Sequence, residues 1–137
     1  MRVQKITLCG KEFELYYSTK AMLDVEKRCG DTNKLNEWLK EDGTTAQILS
    51  KLSGILTDLA NGAIFKHNSE VTLGLIDEPK KKFVDDELML SLLTPADLLK
   101  AKEAIYSAIN SGMSFEVPEG VPEPDPDLAD VESEKNV

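Results

Sequence analysis

The feature that most constrains this chain is an alternating apolar pattern on both sides of Cys9-Gly10. The alternating positions are Ile6, Leu8, Phe13 and Leu15. A two-residue loop with glycine second is typical of a type I′ turn, which needs positive φ at both positions. The pattern therefore predicts strands over residues 3–8 and 11–17, with the apolar side chains on one face. Because two strands alone are marginally stable in water, we expect this face to pack against helices.

Several later segments have the periodicity and end signals of helices. They are residues 20–29 with Ser18 or Thr19 as the cap, a shorter stretch that restarts at Asp31 or Thr32, residues from Thr44 or Thr45 to Phe65, VDDELMLSLL, and TPADLLKAKEAIYSAINSG. The longest has an apolar stripe from Ile48 to Ala63, which we expect to be wider than one small core can cover. Thr94 is the expected cap of the last helix, and Gly112 is expected just past its end. Residues 67–83 have no clear period: VTLGLI is compatible with a short strand, whereas Gly74 and DEPKKK favour a loop.

The composition changes after Met113. Residues 114–137 contain eight acidic residues against one lysine, and four prolines: Pro118, Pro122, Pro124 and Pro126. Proline removes backbone donors and like charges repel, so this segment is expected to be disordered. The sequence thus predicts a hairpin-plus-helices globular domain over residues 1–113 and an acidic, proline-rich disordered tail over residues 114–137. The fold class is mainly α with a small N-terminal β-hairpin (α+β).

Charge and motifs argue against most chemical functions. The net charge is −9, whereas nucleic-acid binding depends on lysine and arginine that neutralise phosphates. No glycine-rich phosphate loop occurs, and the single histidine, His67, is predicted to lie in a surface loop. The pair Asp85-Asp86 is better placed to cap a helix than to act as acid and base. We therefore predict no catalytic, cofactor-binding or metal-binding residues, and no enzymatic activity.

The cysteines and the apolar runs indicate a cytoplasmic protein. Cys9 and Cys29 are expected at a turn and at the far end of the next helix, so we predict free thiols. The N-terminus lacks the apolar stretch of a secretory signal. No run approaches the 18 or so apolar residues of a membrane span, so we expect no membrane contact.

Two features leave a binding role open. The basic run PKKKF, residues 79–83, is flanked by acids and is either a solvated loop or a docking point for an acidic partner. Trp38 is either a core residue, together with Leu35 and Leu39, or an interface anchor. The sequence does not indicate which surface binds a protein.

Two stretches resemble a known family. GKEFEL (Gly10 to Leu15) is followed by AMLDVEKRCG (Ala21 to Gly30), and LLTPADLLKAKEAIYSAINSGMSFEVPE spans Leu92 to Glu119. This order of hairpin, capped helix and C-terminal helix before an acidic tail resembles the tail assembly chaperones of long-tailed phages and prophages of Gram-positive hosts.

The resemblance implies a protein that coats the tape-measure protein in the host cytoplasm and helps recruit tail-tube subunits. Such a chaperone is absent from the finished virion. The tape-measure protein is then the expected partner, with tail-tube protein and a second copy of this chain as further candidates. The alternative is a prophage-encoded structural or adaptor protein, also non-enzymatic, that stays in the particle.

Overall fold

The computed structural model of this chain describes residues 3–40 and 43–113. The elements are β1 (Gln4–Leu8), β2 (Lys11–Leu15), α1 (Thr19–Cys29), α2 (Leu35–Lys40), α3 (Thr45–Thr72), α4 (Asp86–Leu92) and α5 (Leu98–Met113). Single 3₁₀ turns, Thr32–Lys34 and Pro95–Asp97, lead into α2 and α5. This arrangement confirms the predicted fold class, mainly α with an N-terminal hairpin. The tail predicted for residues 114–137 lies outside the described residues.

The hairpin has the predicted register. Ile6 pairs with Phe13 in an antiparallel ladder, and Cys9 and Gly10 have φ values of 53° and 78°, as a type I′ turn requires. The second strand ends at Leu15, two residues earlier than expected. The reason is that the Tyr16 amide donates its hydrogen bond to the Leu59 carbonyl of α3 instead, at 3.1 Å. The hairpin is thereby joined to the helices by backbone as well as by its apolar face.

Helix α3 is the centre of the core. Every residue from Leu52 to Ala60 is buried, so the helix is covered on all sides there. The hairpin, α1, α4 and α5 pack around it, and Ile6, Leu8, Phe13 and Leu15 belong to the same buried cluster as Val25 and Ile55. This confirms that the hairpin face is core. The expectation that the Ile48–Ala63 stripe exceeds the core is wrong, because the surrounding elements cover it.

Two glycines let backbones approach closely. A Cβ on Gly62 of α3 would lie 2.4 Å from the Tyr16 carbonyl oxygen, and a Cβ on Gly112 would lie 2.5 Å from that of Tyr17. Gly112 was predicted just past the end of α5 but lies inside it. A glycine is needed there because the helix packs directly on the chain that leaves β2.

Helix α3 also extends further than its apolar period suggested, to Thr72 rather than Phe65. Its last turns are polar and are stabilised locally, for example by an ion pair between Lys66 and Glu70 at 2.5 Å. Val71 and Thr72 are therefore helical, and the short strand considered for VTLGLI does not form. The chain turns at Gly74, with φ 77°, and residues 79–84 run back towards the core.

Candidate protein-binding groove

Two asparagines of α3 hold the returning segment, residues 79–84, against the helix. The Asn68 side chain accepts a hydrogen bond from the Lys81 amide at 2.8 Å and donates one to the Lys81 carbonyl at 3.0 Å. Asn61 makes the same pair with Val84, at 2.8 Å each. Residues seven apart on a helix lie on one face about 10 Å apart. Three residues of extended chain span about the same distance, so the two spacings match.

This arrangement creates an open apolar cleft of about 560 Å³ beside the C-terminal half of α3. We call it the α3 groove, and it is lined by Phe65, Asn68, Ser69, Thr72, Leu73, Lys80 and Phe83. Leu73 is 72% exposed, Phe83 55% and Phe65 44%. Large apolar side chains that cluster at the surface are typical of protein contact sites. A second cleft of about 480 Å³ lies between β2 and α3, but its rim carries lysines and glutamates together.

The basic run meets this groove through Lys80, whereas Lys81 and Lys82 line the second cleft. Within residues 3–40 and 43–113, none of the ammonium groups of Lys80, Lys81 and Lys82 lies within ion-pair distance of a carboxylate. The flanking acids have other contacts: Asp85 accepts a hydrogen bond from the Leu88 amide at 2.8 Å and caps α4. Asp86 pairs with Arg28 at 3.1 Å. The groove therefore combines an apolar floor with a cationic edge formed by Lys80.

The other residues considered for a functional role in the sequence have structural positions. His67 lies in α3 rather than in a loop, because the helix is longer than predicted, and its Nε2 is 3.0 Å from the Pro79 carbonyl oxygen. Asp85 caps a helix, as predicted. Trp38 packs against the core, in line with the core interpretation. Cys9 and Cys29 are free thiols, as predicted.

One polar cluster was not predicted from the sequence. Arg28 of α1 binds Asp58 of α3 with two parallel hydrogen bonds, Nε to Oδ2 at 2.6 Å and Nη2 to Oδ1 at 3.0 Å. Its other side reaches Asp86 of α4, so one guanidinium joins three helices. The Asp58 side chain is only 8% exposed, whereas that of Arg28 is 30% exposed.

Burial and charge act in opposite directions at this cluster. The hydrogen bond to Asp58 raises the pKa of Arg28 further above its usual range. Burial raises the pKa of the Asp58 carboxyl, and the bound guanidinium opposes that rise. All three charged groups have partners within the cluster, which joins α1, α3 and α4.

The described part of the chain offers no site for a metal ion: no group of three or more histidine, cysteine or acidic side chains converges there. Among the same residues, no helix has both the length and the apolar character needed to cross a bilayer. No protein-family model, curated protein or solved structure matches this chain.

Proposed function

We propose that this chain is a non-enzymatic tail assembly chaperone that binds a tape-measure protein through the α3 groove. The family assignment rests on the resemblance of the GKEFEL hairpin, the AMLDVEKRCG helix and the C-terminal helix with its acidic tail. The place of action is the host cytoplasm, before the tail is complete. Recruitment of tail-tube protein and self-association belong to the same proposal.

The observation that carries the binding role is the group of exposed apolar side chains Phe65, Leu73 and Phe83. A tape-measure protein is long and helical, and an amphipathic helix is bound by an apolar groove through residues one turn apart. The cationic edge at Lys80 suits a helix whose flank is acidic. Burying such side chains contributes roughly 1.5–3 kcal/mol each, enough for several weak sites along one partner to hold it in solution.

Co-expression with the cognate tape-measure protein tests the proposal. We expect the partner to be soluble and to co-purify with this chain. The double substitution Leu73→Ser/Phe83→Ser should abolish co-purification without unfolding the body, since both side chains are exposed. Leu99→Ser is the matched control, because Leu99 is 67% exposed on α5 and does not line the groove. Equal solubility of the partner with and without this chain would refute the proposal.

A second variant tests the shape of the groove rather than its apolar surface. Asn68→Asp keeps the size of the side chain but replaces the donor to the Lys81 carbonyl with a carboxylate oxygen. Two oxygens then face each other, so residues 79–84 should detach locally and partner binding should weaken. Unchanged binding would show that the segment carrying Phe83 is not part of the site.

The alternative, an adaptor retained in the particle, differs in one observable. Mass spectrometry of purified particles should find tape-measure and tube proteins but not this chain. Its presence in stoichiometric amounts would favour the adaptor.

A further inference from the structure

We propose that the acidic C-terminal segment of this same chain, residues 114–137, docks in the α3 groove when no partner is bound. The contact itself is independent of the proposed function. Its consequence, competition with the tape-measure protein, rests on that function.

Charge complementarity is the first reason for choosing this occupant. Residues 114–137 carry eight of the acidic residues of the chain and one lysine, which leaves a net charge of only −2 on residues 1–113. Lys80 lines the groove, and its ammonium group has no carboxylate at ion-pair distance in the described residues. An acidic segment tethered to the same chain is present at high effective concentration, so the docked state is populated even if the attraction is weak.

The second reason is where the described chain ends. Gly112 packs against the Tyr17 carbonyl, and Gly62 of α3 packs against that of Tyr16, the preceding residue. The end of α5 therefore lies close to the turn of α3 that precedes Phe65. Gly62 and Ser69 are about 10 Å apart along the helix. A segment of seven extended residues reaches about 23 Å, so residues just after Met113 are long enough to enter the groove.

The third reason is the order of residue types in that segment. Phe115 and Val117 come first and alternate with Glu116. In an extended chain, residues two apart lie on the same side, so these two present one apolar side together. The prolines and most acids follow in the sequence, where they can pass Lys80 at the edge of the groove. A proline-rich chain is already extended and loses little conformational entropy on binding. This suits a segment that binds without forming a helix or strand.

Such docking would cover the exposed apolar side chains in the free protein. A tape-measure helix would displace the segment, because it offers more apolar surface than Phe115 and Val117. Removing the segment would then strengthen partner binding rather than weaken it.

Carbodiimide cross-linking of the full-length chain tests the contact, since it joins an amine to a carboxylate only when the two touch. We expect links within one chain between Lys80 and the acids of residues 116–127, read by peptide mass spectrometry. Mixing unlabelled with ¹⁵N-labelled protein separates links within a chain from links between chains. Predominantly mixed-label links would show that a second copy occupies the groove and would overturn the proposal. Absence of links to Lys80 would also overturn it.

Substitutions within the segment test the apolar part without any risk to the fold of the body. Phe115→Ser/Val117→Ser should reduce the yield of the links at least tenfold, because burying even one such apolar side chain is worth roughly a factor of ten or more. Leu128→Ser/Val131→Ser is the matched control and should leave the yield unchanged. Equal yields in both variants would show that charge alone holds the segment and that the groove is not its site.

Amide spectra of the same full-length variants give an independent readout. Phe115→Ser/Val117→Ser should shift the resonances of Ser69, Thr72 and Leu73, whereas the control should not. Partner co-purification is measured separately, so the two proposals fail separately. Links without co-purification would refute the proposed function and leave the docking proposal intact. Co-purification without links would refute the docking proposal and leave the proposed function intact.

Discussion

The buried ion pair between Arg28 and Asp58 gives the sharpest stability prediction. Arg28→Met keeps most of the apolar stem of the side chain but removes both hydrogen bonds to a carboxylate that is 8% exposed. Leaving a buried charge without its partner costs about 3–5 kcal/mol. Because Arg28 is 30% exposed and water can reach the site, we expect the lower end, about 3 kcal/mol. The melting temperature should fall by roughly 10–20 °C.

The loss should depend on pH in a defined direction. Without Arg28, burial and the neighbouring carboxylates of Asp24 and Asp86 raise the pKa of Asp58 further above its ordinary value of 3.8. The native state then binds a proton that the unfolded state has lost. The stability of the variant is fully present below pH 3.8 and falls as the pH rises through the raised pKa. The deficit relative to the parent protein should therefore be larger at pH 7 than at pH 4.5.

Urea unfolding at several pH values measures both effects. Lys27→Met is the matched control on the same helix, since Lys27 is 79% exposed and its loss should change stability by less than about 0.5 kcal/mol. The double variant Arg28→Met/Asp58→Leu removes the buried charge as well and should return to within about 1 kcal/mol of the parent. A loss below 1 kcal/mol in the single variant, with no dependence on pH, would refute the reasoning.

Three further outcomes can be measured on single variants or on the parent chain. Phe13→Ala should cost about 3–5 kcal/mol in urea unfolding because the ring is 7% exposed, whereas Glu12→Ala on the opposite face should cost almost nothing. Gly62→Ala should destabilise by about 1–3 kcal/mol, although alanine favours helices, since the new Cβ meets a backbone oxygen at 2.4 Å; a stabilised variant would show that the helix can move away. Exposed Cys9 should react with a thiol reagent quickly and Cys29 slowly, because burial raises the pKa of the Cys29 thiol; a single kinetic phase would contradict this.

The parts of the fold that could be predicted from sequence are those specified by neighbouring residues. The turn at Cys9-Gly10 fixes the register of the hairpin, and the caps at Ser18, Thr44 and Asp85 fix where helices begin. In each case the determining hydrogen bond joins residues at most three positions apart. Such signals do not depend on the rest of the fold, so the sequence is sufficient for them.

The parts that could not be predicted depend on contacts between distant residues. Arg28 and Asp58 are 30 positions apart, and either residue alone looks like an ordinary surface charge. The groove depends on Asn68 binding Lys81, a contact between a polar helix end and a segment without a periodic pattern. One signal was available: Asn61 and Asn68 are seven apart, so they share a helix face that could hold a second chain segment. The predicted end of α5 at Gly112 was wrong for a related reason. A glycine near the end of a helix resembles a C-terminal cap when the residue that packs against it is unknown.

The long central helix has a consequence for how its backbone amides exchange with solvent. Amides between Leu52 and Ala60 are covered on all sides, so they should exchange with deuterium only when the whole protein unfolds. Amides near Thr72 can exchange when only the end of the helix frays. One continuous helix of 28 residues should therefore span the full range of protection in the molecule. Binding at the groove should slow exchange at its C-terminal turns first, and that region gives the most direct readout of an occupied groove.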